Sequence, residues 1–151
     1  CRLDLPVRPA RPDDRTQPVF GEPEMAPPAN FTRDRIGRRE REVHEDATTG
    51  ETVMTIHRER GAYRLHDLDL FIDATATERF SIIEGDPLSA KAEINGTYRT
   101  ARGPWDIRSR TRTVLTSSKD KFHLRVELDA FEGETRVFSR NWSYDIPRQG
   151  V

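Results

Sequence analysis

Alternation of apolar and polar residues dominates the second half of the chain, residues 86–148. Four long segments repeat with a period of two, which is typical of half-buried β-strands. Short turn signals separate them, the clearest being Gly103-Pro104, Ser117-Ser118 and Glu132-Gly133. Strands joined by such short turns form hairpins, so the pattern predicts an antiparallel meander. The most regular apolar series is Phe122, Leu124, Val126, Leu128 and Ala130.

The same alternation continues toward the N-terminus, less regularly. Residues 41–47 and 51–60 flank Thr48-Thr49-Gly50 and predict a further hairpin, and residues 63–73 predict another strand. We expect a short helix over residues 74–80 and a turn at Asp86-Pro87. The predicted fold is all-β: an antiparallel meander over residues 38–148 that forms a sandwich or open barrel, followed by a tail, residues 149–151. Its core is expected around Trp105, Phe122 and Trp142.

Prolines mark the first part of the chain as different. Seven of the ten prolines lie within residues 1–30, which forbids helix and favours extended backbone. Leu3, Leu5 and Val7 alternate like one short strand. Residues 1–37 are therefore predicted to be an extended proline-rich arm or linker.

Charge is plentiful but balanced, with 25 basic and 26 acidic residues and a net charge of −1. A nucleic-acid-binding domain usually carries a clear basic excess, so we expect no nucleic-acid partner. The row Arg108, Arg110 and Arg112 is interpreted as one side of a solvated ion-pair ladder. A register that pairs Leu115 with Phe122 predicts two opposed pairs, Arg110 with Glu127 and Arg108 with Asp129. A turn centred on Arg102-Gly103 predicts a third, Arg112 with Glu93.

One arginine falls on the apolar side of its strand. Arg140 is in phase with Phe138, Trp142 and Tyr144, where an arginine needs a carboxylate or an aromatic ring. It either extends to the edge of the sheet or anchors a ligand. The inward Thr111 and Thr113 indicate a polar-lined cavity, or serve as small fillers opposite bulky neighbours. The four residues Arg140, Trp142, Thr111 and Thr113 form the candidate ligand or buried ion-pair site.

Catalytic and metal-binding motifs give no positive signal. The sequence lacks the G-x-S-x-G turn of many serine hydrolases, and its histidines, His44, His57, His66 and His123, are scattered over predicted strands. It also lacks the spacings typical of zinc and calcium sites and any glycine-rich phosphate loop. No catalytic residue, metal ligand or cofactor is therefore assigned, and no apolar run is long enough to span a bilayer.

Three stretches carry a family resemblance: DPLSAKAE, GPWDIRSRTRT and FHLRVELDAFEGETRVFSRNWSYDIPR. They resemble the C-terminal extension of bacterial CocE/NonD-type hydrolases, relatives of cocaine esterase and the Xaa-Pro dipeptidyl-peptidases. The opening LDLPVRPARP is similar to the last strand of the jelly-roll domain that precedes that extension. Gly96 and the Gln149-Gly150 ending depart from the family pattern.

The resemblance implies a non-catalytic accessory domain of an α/β-hydrolase-type serine hydrolase whose parent cleaves esters or amides. Its implied partners are the preceding hydrolase and jelly-roll domains, with homo-oligomer formation as a further expectation, and its implied location is cytoplasmic. The alternative is a small-ligand-binding lipocalin-like barrel, a periplasmic or cell-envelope lipoprotein tethered through Cys1. A barrel predicts a closed apolar cavity, whereas an accessory domain predicts an exposed apolar patch.

Overall fold

The structure is a computed structural model of the chain that describes residues 7–9, 11–15 and 20–149. Short 3₁₀ helices occupy Pro12–Arg15 and His66–Leu68. The strands, in chain order, are β1 Phe31–Arg35, β2 Arg38–Asp46, β3 Glu51–Leu65, β4 Leu70–Ile83, β5 Asp86–Arg102, β6 Trp105–Ser117, β7 Lys121–Glu132 and β8 Thr135–Pro147.

All eight strands belong to one antiparallel sheet with the order β1-β3-β4-β5-β6-β7-β8, and β2 also pairs with β3. From β2 onward each strand pairs with the next one in sequence, so the predicted all-β antiparallel meander is confirmed. The sheet is not closed into a barrel: among the described residues β8 pairs with β7 alone. The described strands also supply no second sheet that would complete a sandwich.

β1 and β2 lie end to end along the same edge of β3, separated by a break at Ile36 and Gly37. Gly61 lies across this break with φ of +86°, and a Cβ atom on it would come within 2.6 Å of the Arg35 carbonyl oxygen. Glycine is needed here because a side chain fits neither the dihedral angle nor the space. The close approach holds the two short strands against one long partner.

The strand pairing differs from the predicted register by two residues. Leu115 pairs with Leu124, not with Phe122. Arg112 therefore faces Glu127, and Arg110 faces Asp129. A slip of two residues leaves every side chain on its predicted face, because the side-chain period of a strand is two. The predicted faces are correct, whereas the predicted opposed pairs are wrong.

Burial is much lower than a closed core requires. In the described part of the chain, Ile56 and Ala62 are the buried apolar residues, with 6% and 5% of their surface exposed. The predicted core around Trp105, Phe122 and Trp142 is wrong in this respect: Trp105 is 41% exposed and the other two are half-buried. A single layer of strands leaves both faces open, so these side chains have neighbours within the sheet, and the described residues place no second layer above them.

Three local expectations also change. Residues 74–80 lie in the middle of β4 rather than in a helix, because pairing with β3 and β5 on both sides overrides their helix propensity. The turn before β5 is Glu84-Gly85, and Asp86 already belongs to the strand. The sheet begins at Phe31, inside the predicted arm of residues 1–37. Of the strand expected at Leu3, Leu5 and Val7, the first two residues lie outside the described residues, and Val7 is exposed and belongs to no strand.

Candidate functional site

One face of the sheet, called here the apolar face, carries a continuous row of apolar side chains across seven strands. The register places them directly beside one another, and the row reads Val43, Met54, Phe80, Ala92, Leu115, Leu124 and Tyr144. Strands lie about 4.8 Å apart, so the row is about 29 Å long. A continuous apolar row of this length is unusual, because exposed apolar residues on a solvated surface are usually scattered singly.

Most exposed large apolar residues of the strands lie on this face. The register assigns ten to it: Phe31, Val43, Ile82, Ile94, Tyr98, Trp105, Leu115, Phe138, Tyr144 and Ile146. The opposite face, called here the charged face, has Ile83 as its exposed large apolar residue in the register. The exposed large apolar side chains of the strands are thus concentrated on one face of the sheet.

A groove of about 410 Å³ lies at one end of the apolar face. Met54, Phe80, Ala92, Leu115 and Phe122 contribute its apolar lining. The groove is an open depression across several strands and is not the closed cavity that a ligand-binding barrel predicts. It provides a place where a protruding apolar side chain or a small apolar molecule fits.

A polar pair interrupts the apolar face near its centre. The guanidinium of Arg58 meets the carboxylate of Glu78 with two contacts, Nε to Oε1 at 2.9 Å and Nη2 to Oε2 at 3.0 Å. The Glu78 side chain is only 14% exposed, although Arg58 is 40% exposed. Beside them a smaller depression of about 280 Å³ is floored by small residues such as Gly96 and Ser109. An apolar surface that docks here must satisfy or avoid this ion pair.

The four candidate residues from the sequence do share the apolar face, but they do not converge on one pocket. Thr111 and Arg140 lie in one cross-strand row with Leu128 between them, and Thr113 and Trp142 lie in the next row. The Arg140 side chain is exposed, and its guanidinium carbon lies 5.1 Å from the centre of the Trp142 ring. Arg140 is thus stacked on an aromatic ring at the edge of the sheet.

On the charged face Arg112 forms the predicted ion pair with Glu93, although the two residues are diagonal to each other and not directly opposed. Arg112 donates to Glu93 at 2.9 Å and to Glu127 at 3.4 Å. Lys91 lies 3.0 Å from the other oxygen of Glu93. Hydrogen bonds from Arg112 and then from Lys91 lower the pKa of Glu93 to about 2. Arg108 packs over the Phe131 ring, where the predicted register expected Asp129.

A cluster that sequence reasoning missed joins the β6–β7 loop to β8. The Nδ1 atom of His123 lies 2.8 Å from an Asp145 carboxylate oxygen, and its Nε2 atom lies 3.1 Å from the Ser118 hydroxyl. Hydrogen bonding to His123 lowers the pKa of Asp145 below its usual value. The serine–histidine–aspartate order of contacts is that of a hydrolytic triad. No sequence motif marks it, but the β7–β8 register places His123 directly opposite Asp145.

Other contacts of this cluster favour a structural role. The Ser118 hydroxyl has a competing acceptor, Asp120 Oδ1, at 3.1 Å. The backbone N–H of Ser118 donates a hydrogen bond to the Lys121 carbonyl at 2.8 Å. Arg148 adds two bonds, from its N–H to Asp120 and from Nη1 to the Ser118 carbonyl. These bonds fasten the loop to the end of β8, and none of the five grooves described on the surface includes Ser118, His123 or Asp145.

Within the described ranges no three histidine, cysteine, aspartate or glutamate side chains form a group able to hold a metal ion. The helices of this part of the chain are too short and too polar to cross a membrane. Comparison with protein-family models, curated proteins and solved structures gave no match to the chain.

Proposed function

We propose that this chain is a non-catalytic accessory β-domain of an α/β-hydrolase-type serine hydrolase, as the CocE/NonD resemblance implies. In this proposal the apolar face packs against the preceding hydrolase and jelly-roll domains. The parent enzyme cleaves esters or amides, and the sheet stabilises it or shapes its substrate entrance. The location that goes with this role is cytoplasmic.

The observation that carries the proposal is the uncovered apolar face. A sheet with two buried apolar residues gains little from its own core, since burial of apolar surface is the main favourable term in folding. Packing the row from Val43 to Tyr144 against a second layer supplies the missing burial. Two-layer architectures are the usual solution for a sheet with one apolar face.

Dye binding tests whether the apolar face is open in the isolated chain. We expect the folded chain to bind 8-anilinonaphthalene-1-sulfonate while keeping its near-ultraviolet circular dichroism. Leu115→Gln, in the groove, should reduce the bound fluorescence at least twofold. The matched control, Val114→Gln, changes the adjacent residue on the charged face and should leave the fluorescence nearly unchanged. Equal effects of the two changes would contradict the proposal.

The Ser118–His123–Asp145 contacts favour a second candidate, a weak esterase site within this chain. Turnover of a p-nitrophenyl ester separates the two functions. The accessory proposal predicts hydrolysis no faster than that of the Ser118→Ala or His123→Gln variants. Turnover that either change abolishes, with the fold retained, would replace the accessory role with a catalytic one.

The apolar groove keeps a ligand-binding role as a third candidate, now as an open groove in place of a closed barrel. Titration with a fluorescent fatty acid distinguishes it from domain packing. Saturable binding with one site per chain, lost in Leu115→Gln, favours ligand binding. Weak, unsaturable binding favours a docking surface.

A further inference from the structure

We propose that the free edge of β8 pairs with β8 of a second copy of this chain, forming a twofold dimer with a continuous sheet. The proposal concerns the edge of the sheet, whereas the proposed accessory role concerns its apolar face. Its basis is the difference between the two edges and the self-complementarity of the β8 sequence.

The edge formed by β1 and β2 is protected against strand pairing. Seven of the nine residues of β2, RREREVHED, are charged. The edge is also broken at Ile36-Gly37 and irregular at Asp34. Charges and irregularities of this kind are how natural sheets prevent unwanted strand addition.

β8 lacks these protections over most of its length. Its pairing with β7 is irregular near Val137 and the strand ends at Pro147, but the nine residues 138–146 between them are regular. Arg140 and Asp145 are the charged residues of this segment. Among the described residues no other strand covers its outer side.

The direction of the unused hydrogen-bonding groups follows from one contact. The N–H of Arg148 donates to the Asp120 carbonyl at 2.9 Å, continuing the β7–β8 register. Hydrogen-bonded and non-bonded positions alternate along an antiparallel pair. The N–H groups of Ser139, Asn141, Ser143 and Asp145 therefore point outward. Pro147 belongs to the same outward series, where its missing N–H costs no bond to β7.

A twofold axis that passes beside Trp142 pairs the whole regular segment, residues 138–146, with the same segment of the second copy. It places Asn141 opposite Ser143 and Ser139 opposite Asp145 of the second copy, giving about eight backbone hydrogen bonds. On the apolar face Trp142 meets its own copy, Arg140 meets Tyr144, and Phe138 meets Ile146. Moving the twofold axis two residues toward the N-terminus, to residue 140, would place Arg140 opposite Arg140 of the second copy, which is unfavourable.

This pairing keeps both apolar faces on the same side of the extended sheet. It also covers side chains that are now about half exposed: Phe138 at 45%, Tyr144 at 51% and Ile146 at 46%. The second copy therefore supplies complementary hydrogen bonds on one edge and apolar contacts beside them. The occupant of the edge is another molecule of the same sequence.

Disulfide trapping tests both the dimer and its register. In a Cys1→Ser background, Trp142→Cys should form a disulfide-linked dimer, because the Cα atoms of a non-hydrogen-bonded pair in antiparallel strands are about 4.5 Å apart, within the range that a disulfide spans. The matched control is Tyr144→Cys, whose two copies would lie about 14 Å apart and should not cross-link. Cross-linking at residue 144 instead would overturn the proposed register.

Sedimentation equilibrium supplies an independent measure with the 151-residue chain itself. We expect a mass rising from 17.4 kDa toward twice that value as the protein concentration is raised. Ser143→Pro removes an outward donor and should weaken association at least tenfold, whereas Ser143→Ala keeps the donor and should associate like the parent sequence. A monomer at all concentrations, with native circular dichroism, would rule out the dimer whether or not the apolar face docks on another domain.

Discussion

The two faces of this sheet are built from the same backbone but stabilise it in different ways. On the apolar face, apolar residues such as Ala92 and Leu115 lie directly beside one another on neighbouring strands, and many of these side chains remain partly exposed. On the charged face, residues such as Glu93 and Arg112 form paired ions that solvent already stabilises. The apolar face thus has free energy still to gain from a covering layer, and the charged face has little. This difference is the reason that we propose the apolar face, and not the charged face, as the surface on which a partner binds.

Truncation on the apolar face should have the largest effect. Ile56 is 6% exposed, and Ile56→Ala should lower the free energy of unfolding by about 2–4 kcal/mol through lost burial and a cavity. Thr55→Ala changes the next residue, on the charged face, and should cost less than about 1 kcal/mol. Urea unfolding of both variants measures the contrast. Similar losses would mean that the two faces contribute alike.

The ion pair embedded in the apolar face should come next. Glu78→Gln leaves the Arg58 guanidinium without its charged partner in a half-buried place, at a cost of about 1–3 kcal/mol. The double change Arg58→Met with Glu78→Leu should recover most of that loss, because no unpaired charge remains. Failure of the double variant to recover stability would show that the pair is favourable in its own right.

The smallest effect is expected from the charged face, and it depends on pH. The pKa of Glu93 is lowered from 4.5 to about 2, so its ionised form is favoured by folding. Its contribution is present above about pH 4.5 and disappears as the pH falls toward 2. Glu93→Gln should therefore cost at most about 1 kcal/mol at pH 7 and nothing near pH 2, measured by urea unfolding at each pH. A cost that persists at pH 2 would point to packing and not to charge.

Alternation determined which residues share a face, and it did so correctly for β5 to β8. It could not determine the register, because arginines and carboxylates spaced two residues apart can form opposed pairs in more than one alignment. Arg112 illustrates this: Glu93 lies diagonal to it, yet still contacts it at 2.9 Å. Matching opposite charges across two strands therefore does not distinguish the observed register from one that differs by two residues.

Burial and the serine–histidine–aspartate cluster were harder to predict for a physical reason. Periodicity reports which side of a strand is apolar, but not whether anything covers that side, so Trp105 was expected in a core and is exposed. The contacts of His123 depend on the exact residue that faces it across β7 and β8. Such contacts become visible only once the register is known.

Hydroxyl-radical footprinting would test the central claim most directly, because it reports side chains on each face separately. The comparison is between this chain alone and the complete protein that we propose it belongs to, in which hydrolase and jelly-roll domains precede it. Ile94, Tyr98 and Leu115 lie on β5 and β6, away from the β8 edge, and are 37–47% exposed. The account predicts severalfold lower labelling of these three in the complete protein, with labelling of Val114 and His123 on the charged face unchanged. Equal labelling of Ile94, Tyr98 and Leu115 in both samples would contradict the proposal that the apolar face is a docking surface.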